Sequence, residues 1–452
     1  MSSGIQGVAE RLRLPAHWKR SLLWAAFLAP FFYGTYGFSN WLASQRAGVG
    51  SILFDWERHI PFLAWTIIPY WIIVPLYGLS LFVTNSPREL DRLGRQLITV
   101  QVIAVTCFIL CPLRLTFARP ETSGFSGFLF DALTTFDRPF NQAPSLHIAL
   151  LVILWGHYVR HVPRAWRLAV HGCGSLIGLS VLTTYQHHFI DVPTGALLGW
   201  LAVWLWPDEV VSALQAAALT HDRHRRRLAL RYALGATAFA LVAFHLGGAR
   251  LWLLWPAVSL TLVALIYLAI GPAGFQKGAD GKLSPAARAL LAPYLIGAWI
   301  NSRLWTCRGD TYHRVRDGVS IGCLHSLRGL QVGQFAGIVD LCAELTCRVG
   351  GVAYRYVPAL DLVPVPVDTL ARAAREIEDL RQRGAVLVTC ALGVSRSATA
   401  VATWLLMTGR AGTPDDAVAM VRHARPQAFV DPAVLAPLAS PRMSVSWGRL
   451  DS

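Results

Sequence analysis

The sequence has 452 residues, which is long enough for two or three domains of ordinary size. With 54% hydrophobic and only 15% charged residues, its composition excludes a chain that is soluble over its whole length. The formal net charge of +15 would suit a nucleic-acid partner. However, the arginines lie between apolar segments rather than on one soluble face, so we exclude that class of partner as well.

Long apolar segments predict membrane-spanning helices, because a span needs about 20 mostly apolar residues. About eight such spans are predicted, over residues 21–38, 60–84, 97–113, 146–159, 168–186, 192–206, 229–247 and 251–271. Basic residues precede the first span, but no A-x-A-like cleavage site follows it. An uncleaved first span is therefore predicted in preference to a signal peptide.

The basic residues indicate the orientation of these spans, because cytoplasmic loops are rich in Lys and Arg. One set of predicted faces holds Arg11, Arg13, Lys19, Arg20, Arg88, Arg92, Arg95, Arg160, Arg164, Arg167, Arg223, Arg225, Arg226 and Arg227. The opposite faces hold only Arg46, Arg58, Arg114, Arg119, Arg138 and Arg250. The pattern predicts a multi-pass membrane protein with both termini in the cytoplasm, and a bacterial inner membrane is the favoured location.

The character of the chain changes after residue 271, which sets the predicted domain boundaries. We predict a cytoplasmic segment (1–20), a six-span membrane domain (21–206), a basic cytoplasmic loop (207–228), two further spans (229–271), a linker with an interfacial helix (272–304) and a soluble domain (305–440). In the last of these, short strand-like segments alternate with helical ones, which is typical of a compact α/β fold. The predicted fold class is therefore a polytopic all-α membrane bundle followed by a small α/β domain.

A candidate phosphate site lies in the soluble domain, where GAVLVTCALGVSRSATAVATWLL predicts a strand, a tight loop and a helix. Cys390 ends the strand, small residues including Gly393 form the loop, and Arg396 and Ser397 begin the helix. Backbone N–H groups of such a loop converge on one point, and the helix N-terminus adds partial positive charge. These dipoles stabilise a Cys390 thiolate, and Arg396 can grip two phosphoryl oxygens. The pattern favours covalent phosphoryl transfer to sulfur.

This C-x5-R-S pattern resembles the signature of the protein tyrosine and dual-specificity phosphatases. The similarity extends over roughly residues 305–435, through DGVSIG, GIVDLCAEL and YVPALD. It implies that Cys390 is the nucleophile, Arg396 the phosphate clamp and Ser397 the hydroxyl that eases departure of the thiolate. Asp361 stands where the family keeps its general acid, and Asp368 is a second candidate that looks more like a helix N-cap.

The sequence departs from the family pattern at one position of this site. The family usually has a histidine directly before the cysteine, whereas this sequence has Thr389. Because that histidine helps to order the loop, the departure concerns activation of the Cys390 thiolate. Most of the other cysteines are expected to be buried, and the absence of a C-x-x-C or Cys/His metal spacing fits a reduced compartment.

A second group of polar residues lies among the apolar segments, where polar side chains are costly and mark functional sites. FDRPFNQAPSLH contains Ser145 and His147, and YQHHFIDV contains His187 and Asp191 at the i,i+4 spacing of one helix face. A carboxylate can orient an imidazole for attack on phosphorus, and a second histidine can protonate the leaving oxygen. Both segments fall at the same predicted membrane face, so we expect them to meet.

This arrangement resembles the phosphatidic acid phosphatase type 2 superfamily over roughly residues 60–206, and P-S-L-H and H-x3-D are closest to its inositol phosphorylceramide synthase branch. The resemblance implies that His187 is the nucleophile, oriented by Asp191, and that His147 is the general acid. The remaining candidates, for substrate binding, are Ser145, Arg119 and Arg138.

The second site also departs from its family, because Val181 stands where those phosphatases usually carry an arginine. The lipid phosphotransferase branches tolerate this loss, which favours transfer of the phosphoryl group onto an alcohol over transfer onto water. The same loss would also fit a weakened site. His157, His161 and His188 are interpreted as interfacial or loop histidines.

The leading hypothesis is a bifunctional membrane enzyme, with a Cys-dependent phosphatase on the cytoplasmic side and a His-dependent lipid phosphatase or phosphotransferase on the opposite face. Membrane phospholipids are the expected substrates, and a phosphoprotein stays open for the cysteine site. The alternative is an active Cys phosphatase anchored by a catalytically inactive, lipid-binding membrane domain. A non-catalytic transporter or scaffold conflicts with the intact Cys-x5-Arg. No metal or cofactor is predicted, since neither chemistry needs one.

Overall fold

The computed structural model describes residues 16–306, 312–324, 333–347 and 351–439. These residues divide into two compact units. The N-terminal unit comprises the chain up to Asp208 together with Phe244–Leu251, and the C-terminal unit comprises Glu209–Ala243 and the chain from Trp252 onward. The predicted membrane domain ends close to the first of these boundaries. Most residues of the two later predicted spans, by contrast, belong to the same unit as the predicted soluble domain.

The N-terminal unit is built from helices whose apolar residues form its core. They are α1 (Trp18–Ser44), α2 (Ile67–Ser80), α3 (Pro87–Leu110), α4 (Gly124–Thr134), α5 (Leu146–His161), α6 (Arg167–Thr183) and α7 (Asp191–Leu205). All of them except α4 correspond to a predicted span. Serine hydroxyls cap two of the helices, because Ser86 accepts the N–H of Glu89 at the start of α3 and Ser145 accepts that of Ile148 at the start of α5.

Helices α5 and α7 pack closely because α7 carries Gly195 and Gly199 on the side that faces α5. A Cβ atom at Gly195 would lie 2.4 Å from the carbonyl oxygen of Ser145, and one at Gly199 would lie 2.7 Å from that of Ala149. Small residues at this spacing let two helix backbones approach in an apolar environment. The close approach holds the start of α7 against the start of α5, where both histidine-containing segments lie.

The C-terminal unit begins with further helices. They are α8 (Ala213–Ala216), α9 (Arg223–Leu246, which ends in the N-terminal unit), α10 (Leu254–Leu265, continued by a π-helical turn over Ile266–Ile270), α11 (Pro285–Leu290) and α12 (Ala292–Thr306). Helices are thus present at every predicted span.

Four helical segments of the described chain are long and apolar enough to cross a membrane. They are Pro87–Leu110, Arg164–Thr183, Arg223–Leu246 and Gly248–Phe275. This number is lower than the number of predicted spans, in part because the helices over Ala64–Ser80 and Asp191–Leu205 are apolar but short. A membrane protein with four such helices is compatible with the structure, and the larger number of spans stays a prediction.

The rest of the C-terminal unit is the small α/β domain that the sequence predicts. Its strands are β1 (Tyr312–Arg316), β2 (Val319–Cys323), β3 (Gly337–Cys342), β4 (Ala353–Ala359) and β5 (Val386–Cys390). They form one sheet in the order β1-β2-β5-β3-β4, in which only β1 is antiparallel to its neighbour. Its helices are α13 (Val367–Arg381), α14 (Arg396–Met407), α15 (Pro414–Ala424) and α16 (Pro432–Leu435).

Strand β5 lies in the middle of this sheet and explains why the segment before Cys390 is continuously apolar. All of its residues are buried, as expected of a parallel strand covered on both faces. It pairs with β2 on one side, where Cys390 lies opposite Cys323, and with β3 on the other. The carboxyl ends of these parallel strands therefore meet at one edge of the sheet, where ligands bind in α/β folds.

The segment predicted as a linker is packed onto the sheet. The Lys277 side chain is fully buried, and its Nζ lies 2.5 Å from Asp340 Oδ2 and 2.8 Å from the carbonyl oxygen of Cys342. Burial disfavours its ammonium form, but the charge of Asp340 outweighs burial, and the pKa of Lys277 is raised. Gly281 has φ +75° and accepts the N–H of Cys347 at 2.8 Å. Gly- and polar-rich composition indicates a loop correctly, but it does not reveal that the loop is anchored.

Substitution Lys277→Met tests this anchor. It leaves Asp340 buried without its counter-charge, so we expect a loss of about 3–5 kcal/mol of stability, as in other broken buried pairs. The measurement is thermal unfolding of the detergent-solubilised protein. Lys282→Met is the matched control, because Lys282 and Asp280 form an exposed pair worth less than about 1 kcal/mol. Equal destabilisation by both substitutions would contradict the role of Lys277.

Candidate active sites

The loop from Cys390 to Ser397 encloses the cysteine sulfur. The Sγ atom of Cys390 accepts the backbone N–H of Gly393 at 3.2 Å and lies 3.3 Å from Ser397 Oγ. Gly393 has φ +69°, and a Cβ there would lie 2.7 Å from the carbonyl group of Gly322. Glycine is therefore required for the tight turn that brings this N–H to the sulfur.

The carbonyl groups of the loop are bound on its outer side. The carbonyl oxygen of Ala391 accepts the Ser302 hydroxyl at 3.0 Å, and that of Leu392 accepts the Arg425 guanidinium at 3.2 Å. The carbonyl oxygen of Val394 accepts the N–H of Phe429 at 2.9 Å. While these oxygens are bound to other segments, the N–H of Gly393 points to the sulfur, and the N-terminus of α14 follows the loop directly. The loop has the features of an anion-binding cradle.

Arg396 is held by a buried carboxylate that sequence reasoning missed. Its two terminal nitrogens donate to the two oxygens of Glu344 at 2.8 and 2.7 Å, and one of them also donates to the carbonyl oxygen of Ala359 at 3.0 Å. Both side chains are almost fully buried. Burial alone would raise the pKa of Glu344, but the charge of Arg396 outweighs it and lowers that pKa. The available signal was an acidic residue two positions after a buried strand, in GIVDLCAEL.

Asp361 lies at the same edge of the sheet, just after β4. Its Oδ1 is 3.2 Å from the Arg396 guanidinium. Burial raises the pKa of Asp361 and the nearby Glu344 charge adds to this, against the opposing effect of Arg396. A raised pKa suits a general acid. Asp368 is instead exposed in the first turn of α13, and the N-cap is Pro366, so the N-cap interpretation of Asp368 is wrong by two positions.

The backbone around Asp361 is strained and anchored. The next residue, Leu362, has φ +58° and is 68% exposed, and a non-glycine residue in that region is costly. The Tyr267 hydroxyl donates to the carbonyl oxygen of Asp361 at 3.0 Å. Strained, exposed apolar residues of this kind are typical of functional loops.

Thr389, the departure from the family pattern, is fully buried in β5. It lies opposite Gly322 and Asp340 in the sheet register. Its hydroxyl has no hydrogen-bond partner among the described residues. Thr389 thus occupies the family's histidine position without bonding to the loop through its side chain.

In the N-terminal unit, the two predicted histidine segments meet. His187 Nδ1 lies 3.2 Å from Asp191 Oδ2, which also accepts the backbone N–H of His188 at 2.9 Å. His187 Nε2 lies 3.1 Å from Ser145 Oγ, and the N–H of Ser145 donates to the carbonyl oxygen of Asp191 at 3.1 Å. A carboxylate on Nδ1 fixes the proton there, so the lone pair of Nε2 is available for reaction.

His147 and His187 both line a cavity of about 260 Å³. The His147 ring stacks on Tyr70 with 4.2 Å between centroids, and its Nε2 is buried without a partner in the described part of the chain. Asp137, which sequence reasoning missed, also lines the cavity and accepts the Tyr36 hydroxyl at 2.7 Å. The other lining residues are mostly apolar or aromatic, so the cavity suits a lipid chain with a small polar group.

The two predicted phosphate-contact arginines are not brought to this cavity. Arg119 lies over the ring of Phe130 at 4.4 Å, and Arg138 donates to Ser44 Oγ at 3.2 Å. Among the described residues that line the cavity there is no Arg or Lys. Val181 is fully buried, and its carbonyl oxygen accepts the N–H of His187 at 3.1 Å.

The fold and the cysteine loop define an α/β phosphatase domain of the Cys-x5-Arg class. Residues 342–438 match the family model described as dual specificity phosphatase, catalytic domain. The C-terminal part of the chain is thus a dual-specificity phosphatase-like catalytic domain, as the sequence predicts. Comparison with curated protein sequences finds no match.

Solved structures of phosphatases are similar to this part of the chain. Human DUSP28 is 24% identical, with 31% of this chain and 97% of that chain covered and a TM-score of 0.27. PTPMT1 in complex with PI(5)P is 21% identical, with coverages of 32% and 100% and a TM-score of 0.27. A mouse dual specificity phosphatase complexed with zinc tungstate is 27% identical, with coverages of 30% and 89% and a TM-score of 0.27.

Glu344→Gln tests whether the buried carboxylate positions Arg396. The amide keeps the shape but offers one acceptor and no charge, so we expect kcat/KM for p-nitrophenyl phosphate to fall about tenfold or more. Glu376→Gln is the matched control, because Glu376 pairs with Arg355 at 2.9 Å in a partly exposed position. Unchanged kcat/KM in a folded Glu344→Gln protein would show that Arg396 needs no such support.

Proposed function

We propose that the C-terminal unit hydrolyses phosphate monoesters held at a membrane surface, with Cys390 as the nucleophile. The observation that carries this proposal is the enclosed Cys390 sulfur, bound by Gly393 and adjacent to Ser397 and the buried Arg396. Cys390 attacks phosphorus, the P–O bond to the leaving group breaks, and a phosphocysteine forms. Water then releases inorganic phosphate and restores the thiolate.

The neighbouring side chains supply the remaining steps. Arg396 Nε is buried and has no hydrogen-bond partner among the described residues, so it is available to a phosphoryl oxygen. Asp361 protonates the leaving oxygen and then takes a proton from the attacking water. Ser397 Oγ donates to the departing sulfur in the second step, across the 3.3 Å that separates the two atoms.

Helix α12 supports a membrane-bound substrate. Its exposed residues include Ile296, Trp299 and Ile300, and Arg303 lies over the Trp299 ring at 5.3 Å. Aromatic and basic residues beside an apolar face are typical of helices that lie in the membrane interface. The buried side of the same helix carries Ser302, which binds the catalytic loop. A phosphorylated lipid headgroup would reach Cys390 without leaving the membrane surface.

A phosphate-release screen tests both activity and substrate class. Wild-type protein in vesicles is offered phosphorylated phospholipids and, separately, phosphopeptides. We expect lipid phosphate to be released and Cys390→Ser to abolish this release. Ser302 and Cys390 lie in the same unit as Ile300. The variant Ile300→Glu adds a charge to the exposed face of α12, so it is expected to slow lipid turnover but not turnover of p-nitrophenyl phosphate. Preference for phosphopeptides would overturn the lipid assignment, and activity in Cys390→Ser would overturn the mechanism.

The pH dependence tests Asp361. The general acid must be protonated, and its raised pKa keeps it protonated to higher pH than an ordinary Asp of pKa about 4. The decrease of kcat/KM on the alkaline side of the pH profile is therefore expected at a pH above that ordinary pKa. In Asp361→Asn this decrease is expected to vanish. We expect Asp361→Asn to cost about 10²–10⁴-fold on alkyl phosphates, and less on p-nitrophenyl phosphate, whose leaving group needs no proton. Asp368→Asn is the control. Loss of activity in this variant alone would show that Asp368, and not Asp361, is the general acid.

A second candidate activity, lipid phosphoryl transfer by the N-terminal unit, is favoured by the His187–Asp191 pair and by His147 in the same cavity. In this proposal His187 Nε2 attacks phosphorus, the P–O bond to the leaving group breaks, and His147 protonates the leaving oxygen. An alcohol or water then takes the phosphoryl group from His187. Since no Arg or Lys lines the cavity in the described chain, the histidines would also have to balance the phosphoryl charge.

The variant His187→Ala separates this activity from a lipid-binding role. It is made in the Cys390→Ser background, so that the cysteine site is silent. Loss of the remaining lipid turnover, or of transfer to an alcohol, would support the second activity. Absence of any such turnover in Cys390→Ser itself would favour the alternative, a membrane domain that binds lipid without catalysis.

The membrane arrangement is part of the proposal. We infer that α1, α2, α5 and α7 cross the membrane in addition to the four long apolar segments, as the sequence predicts. We further propose that both termini lie in the cytoplasm, as the distribution of basic residues indicates, and that the membrane is a bacterial inner membrane. Reaction of single introduced cysteines with a membrane-impermeant reagent in intact cells tests this orientation.

A further inference from the structure

A compact group of metal-ligating side chains lies in the N-terminal unit, where α3 begins and α5 ends. Glu89 comes from the first turn of α3, and His157 and His161 follow each other by one turn near the end of α5. One ligand atom from each residue lies within 4.8 Å of the others. Sequence reasoning treated both histidines as interfacial or loop residues and predicted no metal.

The hydrogen bonds fix which nitrogen of His161 faces the group. Its Nδ1 lies 2.8 Å from the carbonyl oxygen of His157, which can only accept, so Nδ1 carries the proton. The Nε2 atom of a neutral His161 is then an acceptor. It faces Glu89 Oε1, another acceptor, at 3.1 Å. Two acceptors in contact are unfavourable unless a proton or a cation lies between them. The Asn85 side-chain amide also lies 3.3 Å from this Nε2 and can donate to it.

His157 is the member of the group whose ring nitrogen lacks a partner. It is 2% exposed, and its Nε2 has no hydrogen-bond partner in the described part of the chain. A buried ring nitrogen without a partner is rare in native structures. A cation bound by Glu89, His157 and His161 would supply that partner.

We propose that Glu89, His157 and His161 bind a divalent first-row transition metal ion, with Zn²⁺ as the best fit. Two imidazoles and one carboxylate suit Zn²⁺, whereas Mg²⁺ and Ca²⁺ prefer oxygen ligands alone. Ligand atoms 3.1 Å apart can both lie about 2.0–2.2 Å from one ion.

The neighbouring residues orient the Glu89 carboxylate. The backbone N–H of Asn85 donates to Glu89 Oε2 at 2.8 Å, which orients the carboxylate and leaves Oε1 toward the histidines. Arg92 approaches Glu89 Oε1 at 3.5 Å, but its charge is also paired with Asp208. The ion would tie the start of α3 to the end of α5, so its role is structural.

The test measures metal binding by the full-length protein, purified with a tag that contains no histidine. Metal content is determined by mass spectrometry, and Co²⁺ is added to the metal-free protein as a spectroscopic probe. We expect about one equivalent of bound metal and visible Co²⁺ absorption bands. Loss of an outer-shell partner already costs roughly 10–100-fold in affinity, so His157→Gln and Glu89→Gln should each weaken Co²⁺ binding by more than about tenfold.

Exposed residues of the same unit provide the controls. His59→Gln and Glu121→Gln leave the group untouched and are expected to bind Co²⁺ like the wild type. Removal of the metal is expected to lower the unfolding temperature while Cys390-dependent turnover of p-nitrophenyl phosphate persists. If folded wild-type protein binds no Co²⁺ or Zn²⁺, or if the ligand variants bind as the controls do, the site does not exist.

Discussion

The ion pair between Arg396 and Glu344 is the interaction on which the phosphatase domain depends. A fully buried guanidinium is unstable without a partner, and Glu344 supplies both oxygens in the bidentate geometry that arginine prefers. Glu344 follows β3, and Arg396 begins α14 directly after the loop from β5. The pair therefore fixes the end of one central strand against the start of the helix that shapes the cradle. It also holds the guanidinium within 3.2 Å of Asp361.

Sequence reasoning predicted the parts of this site that are contiguous in the chain. The strand, loop and helix around Cys390 are set by local patterns, so the positions of Gly393, Arg396 and Ser397 follow from spacing alone. Glu344 lies 52 residues before Arg396, and Lys277 lies 63 residues before Asp340. No local pattern indicates such partners, because burial of a charged pair depends on the sheet register that brings distant segments together.

The histidine segments show the same distinction within the helical unit. The i,i+4 spacing of His187 and Asp191 predicted that they share one helix face. The structure has their contact at 3.2 Å, but His187 lies in the turn before α7, because that helix begins at Asp191. The approach of Ser145 depends on Gly195 and Gly199, whose effect on helix packing requires knowledge of which helices are neighbours. Arg119 and Arg138 were chosen for charge and position in the chain. Their contacts with Phe130 and Ser44 are tertiary, and composition does not predict them.

Three contacts of the phosphatase domain come from residues that precede the predicted domain boundary at 305. Tyr267 donates to the carbonyl group of Asp361, Ser302 donates to that of Ala391, and Lys277 pairs with the buried Asp340 of β3. A polar contact buried on both sides is costly to break, since each partner would be left unsatisfied. The helices before the domain therefore complete the active site as well as preceding it. In physical terms, the packed unit begins within the apolar part of the chain, because Tyr267 lies in a helical segment that is long and apolar enough to cross a membrane.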